Sequence, residues 1–250
     1  MSGSIKLATL APELEKSSTL FPQFTMHGIK VAMGHSEATY EQGILGLKAG
    51  ATCLTHTLNA MAPFGSRAPG LTGLISLPPN HNPAAPYYTV IADGEHLHPN
   101  TVSLLFNSNP QKCITITDSI ELASLPDGIY PGHLQIPHQQ QKTGRRATIA
   151  GTDTLIGGCI PLQESVRNLM QWSGCGVAKA VATVTENVAA FMEIDGLGGR
   201  GVLKEGRRGD LVVLNDDGEL LQTWVAGKKV WDLEEELSKR EENGEERRRL

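Results

Sequence analysis

Aromatic residues are scarce, at 5% of the chain. The core must therefore be assembled from Leu, Val, Ile and Ala. The cysteines Cys53, Cys113, Cys159 and Cys175 stand far apart, with no Cys-x-x-Cys pair. That pattern excludes a disulfide framework and a thiolate zinc site, and it fits reduced, mostly buried thiols in a cytoplasmic protein. Basic excess is absent too: 22 Lys+Arg face 27 Asp+Glu, a net charge of -5. A mildly acidic chain lacks the field that phosphate backbones demand, so no nucleic-acid partner is expected. No run of about 18 apolar residues exists, so no membrane span is expected. Residues 1–10 hold one Lys and no long apolar stretch, unlike a secretory signal.

What is present is ordinary for a globular chain. The 250 residues are 40% hydrophobic and 20% charged, with 27 glycines suited to many turns. Length allows one domain and a small appendage. Short apolar segments start near Leu7, Val31, Thr52, Val90 and Ile114 and end in polar residues. Near-continuous apolar strands are the mark of a parallel sheet. Helical patterns lie between them. Ser36 is placed to cap a helix over Glu37 to Lys48, and Pro99 to open one through Val102, Leu105 and Phe106. Leu162, Val166, Leu169 and Met170 recur at helical spacing, as do Val177, Val181 and Val184, and Thr185 is placed to cap the next helix. Strand–helix alternation predicts βα units.

The strand ends carry the chemistry. His35, His56, Asp93 with His96, and Asp118 all follow apolar strands. In a (β/α)8 barrel the active site lies at the carboxyl ends of the strands. A lone histidine there would merely bond a backbone carbonyl. Two histidines 21 residues apart, one βα unit, with a strand-end aspartate point to a metal site with a proton-transfer group. His81, His98, His133 and His138 fall in loops and are expected to be solvated. Arg67 lies in a Gly- and Pro-bounded loop, where its guanidinium could grip a phosphate. Gly157-Gly158 could let backbone approach a ligand closely. After Gly209 the pattern changes to strands around an Asp217-Gly218 turn, a small β appendage. From Leu233 to Leu250 the chain is almost all Glu, Lys and Arg, a tail expected to be a solvated helix or disordered.

These pieces occur in one order: Gly34-His35-Ser36-Glu37-Ala38-Thr39, Thr55-His56-Thr57-Leu58-Asn59-Ala60-Met61, Arg67-Ala68-Pro69-Gly70, Ala92-Asp93-Gly94-Glu95-His96 and Thr117-Asp118. The set resembles the N-acetylglucosamine-6-phosphate deacetylases of the amidohydrolase superfamily, from about Thr9 to Trp231. The resemblance implies a metal-dependent hydrolase on a distorted (β/α)8 TIM-type barrel. Here it would be an incomplete barrel of about five βα units over residues 1–206, β-strands of a small domain over 207–232 and the charged tail over 233–250. His35 and His56 match the two histidine metal ligands, and Asp118 the catalytic acid/base. His96 matches the histidine near the acetamide. Asn59, Ala60 and Arg67 match substrate contacts, with Arg67 at the phosphate. The turn Leu155-Ile156-Gly157-Gly158 matches a further substrate loop that usually reads Leu-Ser-Gly-Ser, and Asn187-Val188-Ala189 replaces a usual Asn-Pro-Ala. The implied cofactor is one divalent metal ion, zinc first, with iron, manganese or cobalt as alternatives. The implied partner is a small amino-sugar phosphate, and the family's habit of homodimers extends to this chain as an expectation.

The family also has a longer amino-terminal part, with a glutamate metal ligand in a His-x-Glu-Gly-Pro context. No such segment occurs here, and Glu13, near a strand end, matches a different family segment. The expectation is an open sheet with an exposed edge and a weaker metal site. Two other readings stay open: a different metal-dependent amidohydrolase, such as a dihydroorotase- or imidazolonepropionase-like enzyme, or a non-catalytic sugar-phosphate-binding remnant.

Overall fold

A computed structural model describes residues 4–196 and 199–242. Its order begins β1 (Leu7–Leu10), α1 (Ser17–Met26), β2 (Lys30–Met33), α2 (Tyr40–Lys48), β3 (Ala51–Leu54) and β4 (Tyr87–Ile91). It continues with α3 (Pro99–Ser108), β5 (Cys113–Ile116) and four short strands, β6 (Gly128–Tyr130), β7 (Gln140–Thr143), β8 (Arg146–Ile149) and β9 (Leu155–Gly158). Three helices follow, α4 (Leu162–Ser173), α5 (Val177–Ala182) and α6 (Glu186–Met192). Strands β10 (Leu211–Leu214), β11 (Leu220–Val225) and β12 (Lys228–Asp232) and helix α7 (Leu233–Glu242) complete the order.

Strands β1 to β5 form one parallel sheet in chain order. Side chains alternate across it, as period two requires. Val31 and Met33 join a large cluster with Phe21, Leu47, Leu74, Tyr88 and Phe106, while the intervening Ala32 packs on the opposite face with Cys53, Ile114 and Phe191 of α6. Each fully buried Val, Leu or Phe contributes roughly 1.5–3 kcal/mol relative to exposure. Burial also pushes the Cys53 and Cys113 thiols up to about 12, so both stay protonated. Cys159 and Cys175 are only half-buried. Among the described residues, strand β1 pairs on one side only, and its Leu7 is 43% exposed.

Several details differ from expectation. Ser36 does not cap α2. Thr39 does, its Oγ1 accepting from Gln42 N at 3.3 Å while Gln42 Oε1 accepts from Thr39 N at 2.9 Å. This reciprocal capping box outcompetes a single hydroxyl and starts the helix at Tyr40. Thr185 precedes α6, but its hydroxyl donates to Val181 O at 2.8 Å instead of capping. His98, His133 and His138 are exposed, as expected, and His98 also caps α3 by accepting from Asn100 N. His81 is half-buried instead, its Nδ1 2.8 Å from Pro83 O. Leu155 to Gly158 is not a turn but strand β9, the last of an antiparallel sheet ordered β6-β7-β8-β9. The charged tail forms α7 as far as Glu242; residues 243–250 lie outside the described set. Strands β10 to β12 form a separate antiparallel sheet. Among the described residues, no helix is long and apolar enough to cross a membrane.

Candidate active site

Strands β2, β3, β4 and β5 each place a polar residue two positions past their last paired residue: His35, His56, Asp93 and Asp118. In a parallel sheet these positions share one end. Three of the four have left-handed backbone, with φ of 49° at His35, 33° at His56 and 51° at Asp118. For a side chain with a Cβ this conformation costs about 1–2 kcal/mol. It turns each side chain away from the strand direction, and it persists only where surroundings enforce it.

The two histidines meet. Their Nε2 atoms lie 2.9 Å apart and their rings are edge-on at 84°. His56 Nδ1 lies 3.0 Å from Asn59 O. A carbonyl only accepts, so that nitrogen carries the proton and a neutral His56 presents a lone pair at Nε2. Burial holds His56 below the ordinary imidazole range; His35 adds to the effect and Asp118 opposes it. The neutral form is the ligating form. Two nitrogens on one tetrahedral zinc at 2.0–2.1 Å stand about 3.3 Å apart, so a small ring adjustment admits the ion. The donor chemistry therefore fits a divalent metal. Among the described residues, no group of three or more His, Cys, Asp or Glu side chains forms a ready metal cage. His35 and His56 supply two ligands, with the Asp118 charge near His56.

Each loop is braced from a neighbouring unit. Glu13, beyond β1, accepts from Ser36 Oγ at 2.6 Å and from Glu37 N at 2.9 Å. Ser36 N donates to Ala60 O at 2.9 Å, and Ala62 N to Ser36 O at 3.0 Å. The His35 loop is thus bound to the loop carrying Asn59 and Ala60. Asp118 is held from β9: Gly158 N donates to Asp118 O at 2.7 Å, and Ile120 N to Gly158 O at 3.4 Å. A Cβ at Gly158 would collide with the Thr117 carbonyl oxygen. Gly157, at φ +148°, leaves a Cβ only 2.5 Å from Ile120 Cγ2. This close approach is what the two glycines permit.

His96 pairs with Asp93. Its Nδ1 lies 2.6 Å from Asp93 Oδ2, while Asp93 Oδ1 accepts from Glu95 N and His96 N, both at 2.9 Å. Burial raises the Asp93 carboxyl, but the His96 ring and the two N–H groups outweigh it and hold it below the usual carboxylate range. An ionised Asp93 fixes a proton on Nδ1 and holds the His96 ring in one orientation.

The structure thus joins His35, His56, Asn59, Ala60 and Asp118, with Gly158 bonded to the last and Gly157 packed beside it. Leu155 and Ile156 are half-buried on β9. Arg67 is apart, exposed in the loop 63–69, whose turn closes through Gly65 N to Ala68 O at 3.0 Å. Sequence reading missed the bracing roles of Asp93 and Glu13. The Asp-x-x-His spacing at a strand end was a signal for the first. Nothing local marked Glu13, whose partners lie more than 20 residues away.

No protein-family model matches the chain. The N-acetylglucosamine-6-phosphate deacetylase of Rattus norvegicus is 34% identical over 235 residues, 93% of this chain and 56% of that protein. The crystal structure of N-acetylglucosamine-6-phosphate deacetylase from Thermotoga maritima superposes with a TM-score of 0.81 at 27% identity, covering 93% of this chain and 61% of that one. A mutant of the Mycobacterium smegmatis deacetylase, in complex with N-acetyl-D-glucosamine-6-phosphate, superposes at 0.80 and 28% identity, covering 91% and 58%. The chain spans little more than half the length of the curated relatives it matches. Over that length it is a homologue of the N-acetylglucosamine-6-phosphate deacetylases.

Proposed function

We propose that this chain carries the metal-binding and proton-transfer end of an N-acetylglucosamine-6-phosphate deacetylase. In this reading β1 to β5 are five of the eight strands of a (β/α)8 barrel. Residues 1–206 are its barrel part, 207–232 belong to a small β-domain and 233–250 are a charged tail. The supporting observation is the convergence of His35 and His56 at adjacent strand ends, both left-handed, with Asp118 near enough to act on His56.

His35 and His56 would hold one divalent ion through Nε2, zinc first, with iron, manganese or cobalt also suited to such donors. When bound, that ion acts as a Lewis acid on the acetamide carbonyl and on water. Asp118 takes the proton of the attacking water as the C–O bond forms. It returns that proton to the amine nitrogen as the C–N bond breaks. His96, oriented by Asp93 through Nδ1, faces the acetamide and, with a proton on Nε2 as well, donates to its oxygen and stabilises the charge there. Asn59, Ala60 and the Leu155-Ile156-Gly157 backbone position the sugar. Arg67 pairs with the 6-phosphate in a charge-assisted contact, so binding far from the amide orients the reacting end. The products are glucosamine 6-phosphate and acetate. A cytoplasmic site of action and a homodimer complete the reading.

A second reading, a sugar-phosphate-binding protein without turnover, draws support from the two-ligand donor set. Acetate release from N-acetylglucosamine 6-phosphate by the purified chain, with zinc quantified on the same sample, separates the two. Turnover lost by at least a hundredfold in Asp118→Asn is expected. Sugar-phosphate binding with no acetate release from the zinc-loaded chain would overturn the enzymatic reading in favour of the second.

A further inference from the structure

We infer that Thr89 of β4 is a positioning residue that sets the His56 backbone for metal binding; this rests on the metal reading of the His35–His56 pair. The β3–β4 ladder has only two register pairs, Cys53 with Tyr87 and Leu54 with Tyr88. The β1–β2 and β4–β5 ladders have four each. Where the β3–β4 ladder stops, the Thr89 hydroxyl takes over. Its Oγ1 accepts from His56 N at 2.5 Å and donates to Leu54 O at 3.3 Å. The Thr89 carbonyl meanwhile accepts from Thr57 N at 2.8 Å. One residue of β4 therefore takes two successive amide protons of the β3 loop, one on its side chain and one on its backbone.

The geometry explains why a hydroxyl is needed. At φ 33° the His56 N–H has left the direction of the strand ladder. A backbone carbonyl of β4 is already engaged by Thr57. A short acceptor projecting from β4 reaches the gap, and its own proton is directed back at Leu54 O. The ring of His56 is fixed independently, by Asn59 O on Nδ1. Thr89 fixes the main chain and Asn59 the ring, and together they aim Nε2 at His35. Removing the hydroxyl leaves a part-buried N–H unsatisfied, which the loop can relieve only by rotating His56 out of the left-handed region. The Nε2 convergence is then lost.

Thr89→Val keeps the volume and β-branching and removes the oxygen, while Thr89→Ser keeps the oxygen. Outer bonds that orient a metal ligand are worth about 10–100-fold in affinity. Zinc titration against a competing chelator is expected to show such a weakening for Val and near-native affinity for Ser. The cobalt(II)-loaded protein should show an altered visible spectrum for Val alone. Val binding zinc as tightly as the parent chain would overturn the inference. A parent chain that binds no zinc would instead defeat the metal reading. Amide hydrogen exchange then decides on Thr89 by itself. His56 N–H protection that is lost in Val and kept in Ser supports its positioning role, and equal protection in all three chains overturns it.

Discussion

In the parallel sheet, Val31, Ala32 and Met33 of β2 are at most 1% exposed. In the C-terminal antiparallel sheet, Val212, Val213, Val225 and Val230 remain between 37% and 59% exposed. The two sheets draw on the same β-branched residues but are held differently. The first is clamped by helices on one face and by α6 on the other. The second is tied at its edges by surface charges: Asp210 meets Arg200 and Arg208, and Asp232 meets Lys229 and Gln222. Only the first carries strained residues in a cluster with chemical potential. A sheet that cannot fray absorbs a cost of about 1–2 kcal/mol at each of several strand ends. The half-exposed sheet, held by screened ion pairs, carries one such residue, Ala226 at φ 51° in the β11–β12 turn, and it has no reactive side chain.

Substitutions can break or sharpen this contrast. The largest effect is expected for Phe106→Ala, which empties a buried site beneath β4. A loss of about 3–5 kcal/mol in urea unfolding is expected. Gly158→Ala comes next. Its Cβ must displace the Thr117 carbonyl, so stability should fall by about 1–3 kcal/mol. Acetate release should fall further than stability predicts, because Asp118 moves with its brace. Equal activity at 25 °C would refute the bracing role. Asp93→Asn should act through pH. The Asp93 carboxyl lies below its ordinary value of 3.8 in the folded state. Its stabilisation is therefore fully present above that value and is lost as pH falls through the lowered one. The variant should be less stable than the parent at neutral pH, and the gap should close on acid titration below about pH 4. The smallest effect is expected for Val230→Ala on β12, within about 0.5 kcal/mol of the parent, as for ordinary surface positions. A larger loss there would show that the two sheets share one cooperative unit.

The five parallel strands and the polar residues at their ends were legible in the sequence, because apolar runs and strand-end residues are local signals. So was the order of His35, His56, His96 and Asp118. The sheet β6 to β9 was not legible. Gln140–Thr143 is wholly polar and Arg146–Ile149 alternates over only four residues, so the pair is held mainly by backbone pairing across the Gly144 turn. The start of α2 was misread because Ser36 and Thr39 are both good caps, and the reciprocal Gln42 bond decides between them. Glu13 and Thr89 brace the site through bonds whose meaning appears only when neighbouring strands are side by side, whereas the Asp93 bonds to His96 are local.

Of the seven described non-glycine residues with positive φ, five are His35, His56, Leu58, Ala60 and Asp118. Glycine would fit each of these backbone positions more easily than the residue that occupies it. Selection for durability alone would therefore drift towards glycine at all five, and at His35, His56 and Asp118 it would delete the groups on which the proposed metal and proton-transfer chemistry rests. Their persistence in an unfavourable conformation is a record of a requirement other than folding.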